Sequence, residues 1–105
     1  MSFSIDVRAR LTGAAAIVVR GDLDAASVGR LIAAVDEVLR GRPGRLCIDL
    51  GLVTFADSVA VGALVHVQRR CTQVGCRLFV ERLSPVLDRT LTVAGVLHLF
   101  TVTGG

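Results

Sequence analysis

An α/β domain is predicted, with a mixed sheet of about five strands, a mostly parallel core and an N-terminal hairpin. Three observations carry this. Apolar runs of strand length alternate along the chain with longer segments of helical period. The first two strand-like runs are separated only by Leu11-Thr12-Gly13, a connection short enough for an antiparallel hairpin. The later runs are separated by helix-length segments, as parallel neighbours require. Three helices are expected mainly on one face, because right-handed crossovers place them there when a sheet grows in one direction. The 105 residues are read as a single domain, 1–105, long enough to enclose a core.

The elements follow in order. Phe3, Ile5 and Val7 alternate with Ser4, Asp6 and Arg8, the period of a half-buried strand. Ala14 to Arg20, centred on Ile17-Val18-Val19, reads as a more deeply buried second strand. Asp24 is placed as the N-cap of a helix over Ala25 to Arg40. Its apolar face would be Val28, Leu31, Ile32, Val35, Val38 and Leu39, and Gly41 and Pro43 stop it. Arg45 to Leu50 is a third strand, apolar enough for burial on both faces, with Gly51 to Ala56 as a loop. A second helix spans Ser58 to Val74, with Ala60, Ala63, Leu64, Val67, Cys71 and Val74 inward and Gly75 beyond its end. Arg77 to Glu81 is a fourth strand. Ser84-Pro85 opens a third helix, serine as cap and proline in the first turn. Leu87, Leu91 and Ala94 would face the core, and Gly95 ends the helix. Leu97 to Val102 is read as a last strand, with Thr103-Gly104-Gly105 as a frayed tail.

Composition narrows the function. Apolar residues make up 52% and charged residues 20%, which suits a packed domain rather than a disordered one. No apolar run reaches the roughly 18 residues of a membrane span, and the start lacks the pattern of a signal peptide. A cytoplasmic protein is expected. The net charge is +3, and every basic residue other than histidine is arginine. The arginines are dispersed except in Arg40-Gly41-Arg42-Pro43-Gly44-Arg45, and no Trp or Tyr offers bases a stacking platform, so nucleic acid is not an expected partner. Cys47, Cys71 and Cys76 lack the two-residue spacing of zinc or redox motifs and read as buried thiols. No P-loop, zinc-protease motif or Ser/His/Asp set is present, so neither a catalytic residue nor a cofactor or metal is assigned, and the protein is not read as an enzyme.

The informative stretch is Phe55-Ala56-Asp57-Ser58, where an extended segment becomes a helix. A hydroxyl there is exposed, beside a carboxylate, and faces unpaired backbone N–H groups. Either Asp57 or Ser58 could serve as the N-cap. Gly21-Asp22-Leu23-Asp24 ends the second strand, and its aspartates read as a strand end and a helix cap.

The element order with these two segments resembles the sulfate transporter and anti-sigma factor antagonist (STAS) domain, over nearly the whole chain. In that family a Gly-Glu-Leu-Asp-like segment ends the second strand, and Phe-x-Asp-Ser opens the second helix. Asp22 takes the place of the glutamate, while Asp57 and Ser58 match directly. The family usually continues Asp-Ser-Ser-Gly or Asp-Ser-x-Gly; this chain has Val59 and Ala60. Alanine would add a methyl group where glycine allows close approach, so a change of partner fit is expected from Ala60.

The resemblance implies a free-standing bacterial anti-sigma factor antagonist. Unmodified, such a protein binds an anti-sigma factor that is also a serine kinase and so releases the sigma factor. Phosphorylation of the serine, here Ser58, breaks the complex, and a serine phosphatase resets it. The resemblance implies that the loop of Asp22 and Asp24 lies beside that of Asp57 and Ser58, at the ends of neighbouring strands, as one acidic docking face. Val59, Ala60, Gly62 and His66 of the second helix are assigned to the same partner-binding surface, His66 as its rim two turns on. The alternative keeps the fold without the switch: a scaffold or subunit of a sensory or transport assembly.

Overall fold

The computed structural model describes residues 2–10 and 13–104. The elements are β1 (Phe3–Arg10), β2 (Ala14–Leu23), α1 (Val28–Arg40), β3 (Arg45–Ala56), α2 (Ser58–Gln73), β4 (Arg77–Leu83) and α3 (Pro85–Val93), followed by a 3₁₀ turn, Leu97–Leu99. The strands lie in the order β1-β2-β3-β4. β1 and β2 pair antiparallel, whereas β2–β3 and β3–β4 are parallel. The α/β class, the hairpin and the parallel core are as expected. Leu11-Thr12 of the proposed turn lies outside the described residues, as does Gly105 of the tail.

Each parallel step adds a strand on the same side, so α1 and α2 cross the same face of the sheet. Ile17, Ile48 and Val80 are in register across three strands and belong to one buried cluster with Leu31, Val35, Leu64 and Leu87 of the helices. Burial of such aliphatic groups, each worth about 1.5–3 kcal/mol relative to exposure, holds helices and sheet together.

Four boundaries differ from the sequence reading. First, α1 starts at Val28, not Ala25, and Asp24 is not its N-cap. Asp24 Oδ1 accepts the Ala26 N–H at 3.0 Å, and the Ser27 and Val28 N–H groups donate to the Asp24 carbonyl. The buried Ser27 hydroxyl accepts from the Asp24 N–H and donates to the Asp22 carbonyl at 2.7 Å. A separate turn is therefore satisfied before the helix begins. Second, β3 runs on through Gly51 to Ala56, so the proposed loop is strand. Gly51 does not break it; a Cβ there would stand 3.0 Å from the Arg82 Cβ and 3.2 Å from Asp49 Oδ1, so any larger residue would push on the Asp49–Arg82 pair. Third, Val74 and Ala94 are exposed, because each is the C-cap beyond its helix and leaves the buried stripe.

Fourth, Leu97–Val102 is not a fifth full strand. The Leu99 and Phe100 N–H groups close short turns onto the Val96 and Leu97 carbonyls, and Leu97 and Phe100 pack on the core. The chain then meets β4 at a single bridge, Val80–Val102. The Thr103 N–H donates to the Val80 carbonyl at 2.7 Å, so the tail is tied to β4 rather than frayed there.

The face of the sheet away from the helices carries the Asp49–Arg82 pair. Arg82 Nε donates to both carboxylate oxygens, at 3.1 and 3.0 Å, and Nη2 to Oδ2 at 2.6 Å. Burial disfavours the ionised Asp49, but bonds from Arg82 and the Gly51 N–H, with the charges of Arg82 and Arg20, outweigh it and hold the carboxyl below its ordinary value. A carboxyl whose folded value is depressed stabilises the fold above the ordinary carboxylate range, and that contribution is lost as pH falls through the folded value. The melting temperature should therefore fall on acidification below about pH 4, and less steeply in Asp49→Asn. Because the arginine is half-exposed, solvent screening keeps the difference small. Parallel acid limbs in the two proteins would show that the pair contributes nothing.

Candidate functional site

β3 delivers the chain directly into α2, with Asp57 alone between them. Asp57 has extended backbone (φ −132°, ψ −165°), and its Oδ1 accepts the Val59 and Ala60 N–H groups at 3.0 and 3.3 Å. Of the two candidates, Asp57 is thus the N-cap. That leaves the Ser58 hydroxyl with no capping duty. Ser58 is exposed, as the first residue of the helix, and its side chain bonds to none of the described residues.

Val59, Gly62 and His66 recur at helical spacing on the outer side of α2 and are exposed. Val59 is 41% exposed, a large apolar side chain in open view. Ala60 is different. It is completely buried, with 0% exposure, among the core residues under the helix. A side chain so enclosed cannot touch a docked protein, so Ala60 is withdrawn from the contact surface. The methyl group that distinguishes alanine from glycine points at the core, not at a partner.

The strand-end segment does come alongside. Asp22 is in register with Phe55 and Leu23 with Ala56, so Asp24 and Asp57 follow paired residues of adjacent strands. Asp22 Oδ1 accepts the Thr54 hydroxyl at 2.8 Å, which ties the two strand ends together. Asp22 and Asp24 are half-buried and each has a structural bond, yet both border the Ser58 junction.

Three side chains near this junction were not singled out in the sequence. Phe55 is 45% exposed at the end of β3, and Val93 is 82% exposed on α3. Arg89 joins Ser58, Val61, Thr90, Val93 and Ala94 in lining an open groove of about 410 Å³ between α2 and α3. Phe55 could have been found from its place in the quoted motif. Nothing in the sequence brings Arg89 to Ser58; the packing of α3 beside the start of α2 does.

The cysteines are buried. Burial, with Cys76 close by, pushes the Cys71 thiol up to about 12, and burial raises Cys76 as well. Among the described residues, no group of three His, Cys, Asp or Glu side chains is placed to hold a metal. No described helix is long and apolar enough to cross a membrane.

A family model described as Mlab, STAS domain, matches residues 7–101. No curated protein sequence matches the chain. Several solved structures share the fold. An anti-sigma factor antagonist from Mycobacterium paratuberculosis is 23% identical, with a TM-score of 0.86 over 99% of this chain and 87% of that one. SpoIIAA in its unphosphorylated form is 19% identical, with a TM-score of 0.74 over 96% and 87% of the two chains. A serine-to-glutamate variant of RsbS from Moorella thermoacetica is 17% identical, with a TM-score of 0.79 over 96% and 86%. At these identities the likeness is one of fold.

Proposed function

The chain belongs to the STAS domain family, and from that premise we propose that it is an anti-sigma factor antagonist switched at Ser58. The single observation that carries this reading is the state of the Ser58 hydroxyl: exposed and unbonded, while Asp57 does the capping. A serine needed for capping would resist modification; this one is free for it. SpoIIAA, which shares the fold, has been solved in a phosphorylated form as well.

In this reading the unmodified face binds a cytoplasmic anti-sigma factor that doubles as a serine kinase, and the sigma factor is released. Asp22, Asp24, Asp57, Val59, Gly62 and His66 surround Ser58 on that face, joined by Phe55. The kinase transfers the γ-phosphoryl group of ATP to Ser58: the Oγ–P bond forms, the bond to ADP breaks, and the hydroxyl proton passes to a base of the kinase. The protein itself performs no catalysis. Phosphate adds about −1.5 to −2 charges at neutral pH beside three aspartates. A partner that fitted the hydroxyl then meets a bulky dianion. A serine phosphatase restores the first state.

The test uses a cognate kinase-like anti-sigma factor with radiolabelled ATP. Wild type is expected to take up label and Ser58→Ala to take up none. Ser58→Ala should keep binding, whereas Ser58→Glu should lose about tenfold or more in affinity, which is about 1.4 kcal/mol. Equal labelling of wild type and Ser58→Ala would remove the assignment.

A second reading, a permanent subunit of a sensory or transport assembly, is favoured by the exposed Phe55, Val59 and Val93. Lasting interfaces are more apolar than transient ones. Recovery of a transporter ATPase in a pull-down, in place of a kinase-like anti-sigma factor, would support it.

A further inference from the structure

Resting on the reading of Ser58 as the modified residue, we propose that Arg89 is the receptor for its phosphate. In the unmodified protein the α2–α3 groove stays open and offers the Arg89 guanidinium to a carboxylate of the docked protein. Once Ser58 is phosphorylated, the phosphate takes that guanidinium, and the cation is no longer offered to a partner.

The groove has a simple make-up. Val61, Val93 and Ala94 give it apolar walls, and the Thr90 hydroxyl is already committed to the Val86 carbonyl at 2.7 Å. What remains is one hydroxyl, Ser58, and one cation, Arg89. Five other arginines are engaged elsewhere, Arg40 with Glu37, Arg70 with Asp36 and Arg82 with Asp49, while Arg45 and Arg77 lie against the Phe79 ring; Arg89 alone among the arginines lines this groove. Arg89 has no ion pair or hydrogen bond among the described residues. Its neighbour Asp88 does not serve it, but accepts the Thr92 hydroxyl at 3.2 Å.

The base of Arg89 is fixed in place. Leu87 and Leu91 anchor α3 in the core, and Thr90 Oγ1 approaches the Ala56 carbonyl, at 3.5 Å, just before the Ser58 junction. The other charged groups near Ser58 are Asp57 on the same turn and Asp22 and Asp24 at the end of β2, with His66 two turns along α2. The three carboxylates repel a phosphate, so the cation across the groove is its natural partner. Guanidinium–phosphate pairs are bidentate and among the stronger charge-assisted hydrogen bonds. Modification would then act twice, by adding negative charge and by removing the cation that a partner's carboxylate needs.

The test is a phosphorus NMR titration of protein carrying phosphoserine at position 58, installed during translation. The second ionisation of phosphoserine lies near pH 6, and a guanidinium stabilises the dianion. The midpoint in the otherwise wild-type protein should lie about half a pH unit below that in Arg89→Ala. Arg89→Lys, which keeps the charge, should recover part of the lowering. Equal midpoints in all three proteins overturn the proposal, as does a lysine variant that behaves like alanine. Because the phosphate is installed without a kinase, the result is independent of any partner. Failure here leaves Ser58 assigned. Failure of kinase labelling, with the midpoint shift present, would instead remove the Ser58 reading and leave the Arg89 geometry standing.

Discussion

Leu87→Ala should cost the protein about 3 kcal/mol of stability, as the loss of a fully buried leucine with incomplete collapse of the cavity usually does. Leu87 is 0% exposed and belongs to the core cluster that joins α3 to the sheet. For a domain near this length each kcal/mol lowers the melting temperature by about 4–8 °C. The change is expected in a urea or thermal melt followed by circular dichroism. Leu87 also anchors the wall of the groove that carries Arg89, so the phosphate midpoint difference should shrink in this background before the fold is lost. A stability change under about 1 kcal/mol would mean that α3 is not held by this side chain.

The second large effect is expected at Ala60. Leucine there must force three extra carbons into a site with no exposure, in the first turn of α2. Overpacking of this kind costs about 1–3 kcal/mol. Ala60→Gly, the residue usual in the family, removes only a methyl group and should cost about 1 kcal/mol in helix propensity. Its affinity for the proposed anti-sigma factor partner should equal that of the wild type, because nothing on the proposed docking face changes. A denaturant series on both variants, with a binding measurement on the glycine variant, decides the point. If Ala60→Gly altered partner affinity at unchanged fold, the burial argument would be wrong.

Ala60 also shows where reading the sequence stopped short. Its place in the motif suggested the surface, yet the inward stripe of α2 includes it: residues 60, 63, 64, 67 and 71 are all buried. Periodicity was right and the motif analogy was not. The hairpin, the crossovers and the Ser84-Pro85 helix start were legible because they depend on local pattern and turn chemistry. The length of β3 was not, because Gly51 reads as a breaker until Arg82 is seen pressing on it. The start of α1 was hidden by two competing caps, and the Asp24–Ser27 turn won through the Asp22 carbonyl. The segment after Gly95 has alternating leucines that suit a strand, but a 3₁₀ turn packs Leu97 and Phe100 more locally. At the site, Asp57 and Ser58 could be named from the motif. Arg89 could not, since its meaning depends on a neighbour 31 positions away in the chain.

The three sealed sulfhydryls have a practical corollary. Maleimide chemistry needs an accessible thiol, and all three native cysteines are buried while the fold is intact. A single cysteine introduced by Val93→Cys would therefore carry a fluorophore alone, on the rim of the cleft, in an otherwise unaltered background. Partner capture and release could then be followed as an optical signal in real time.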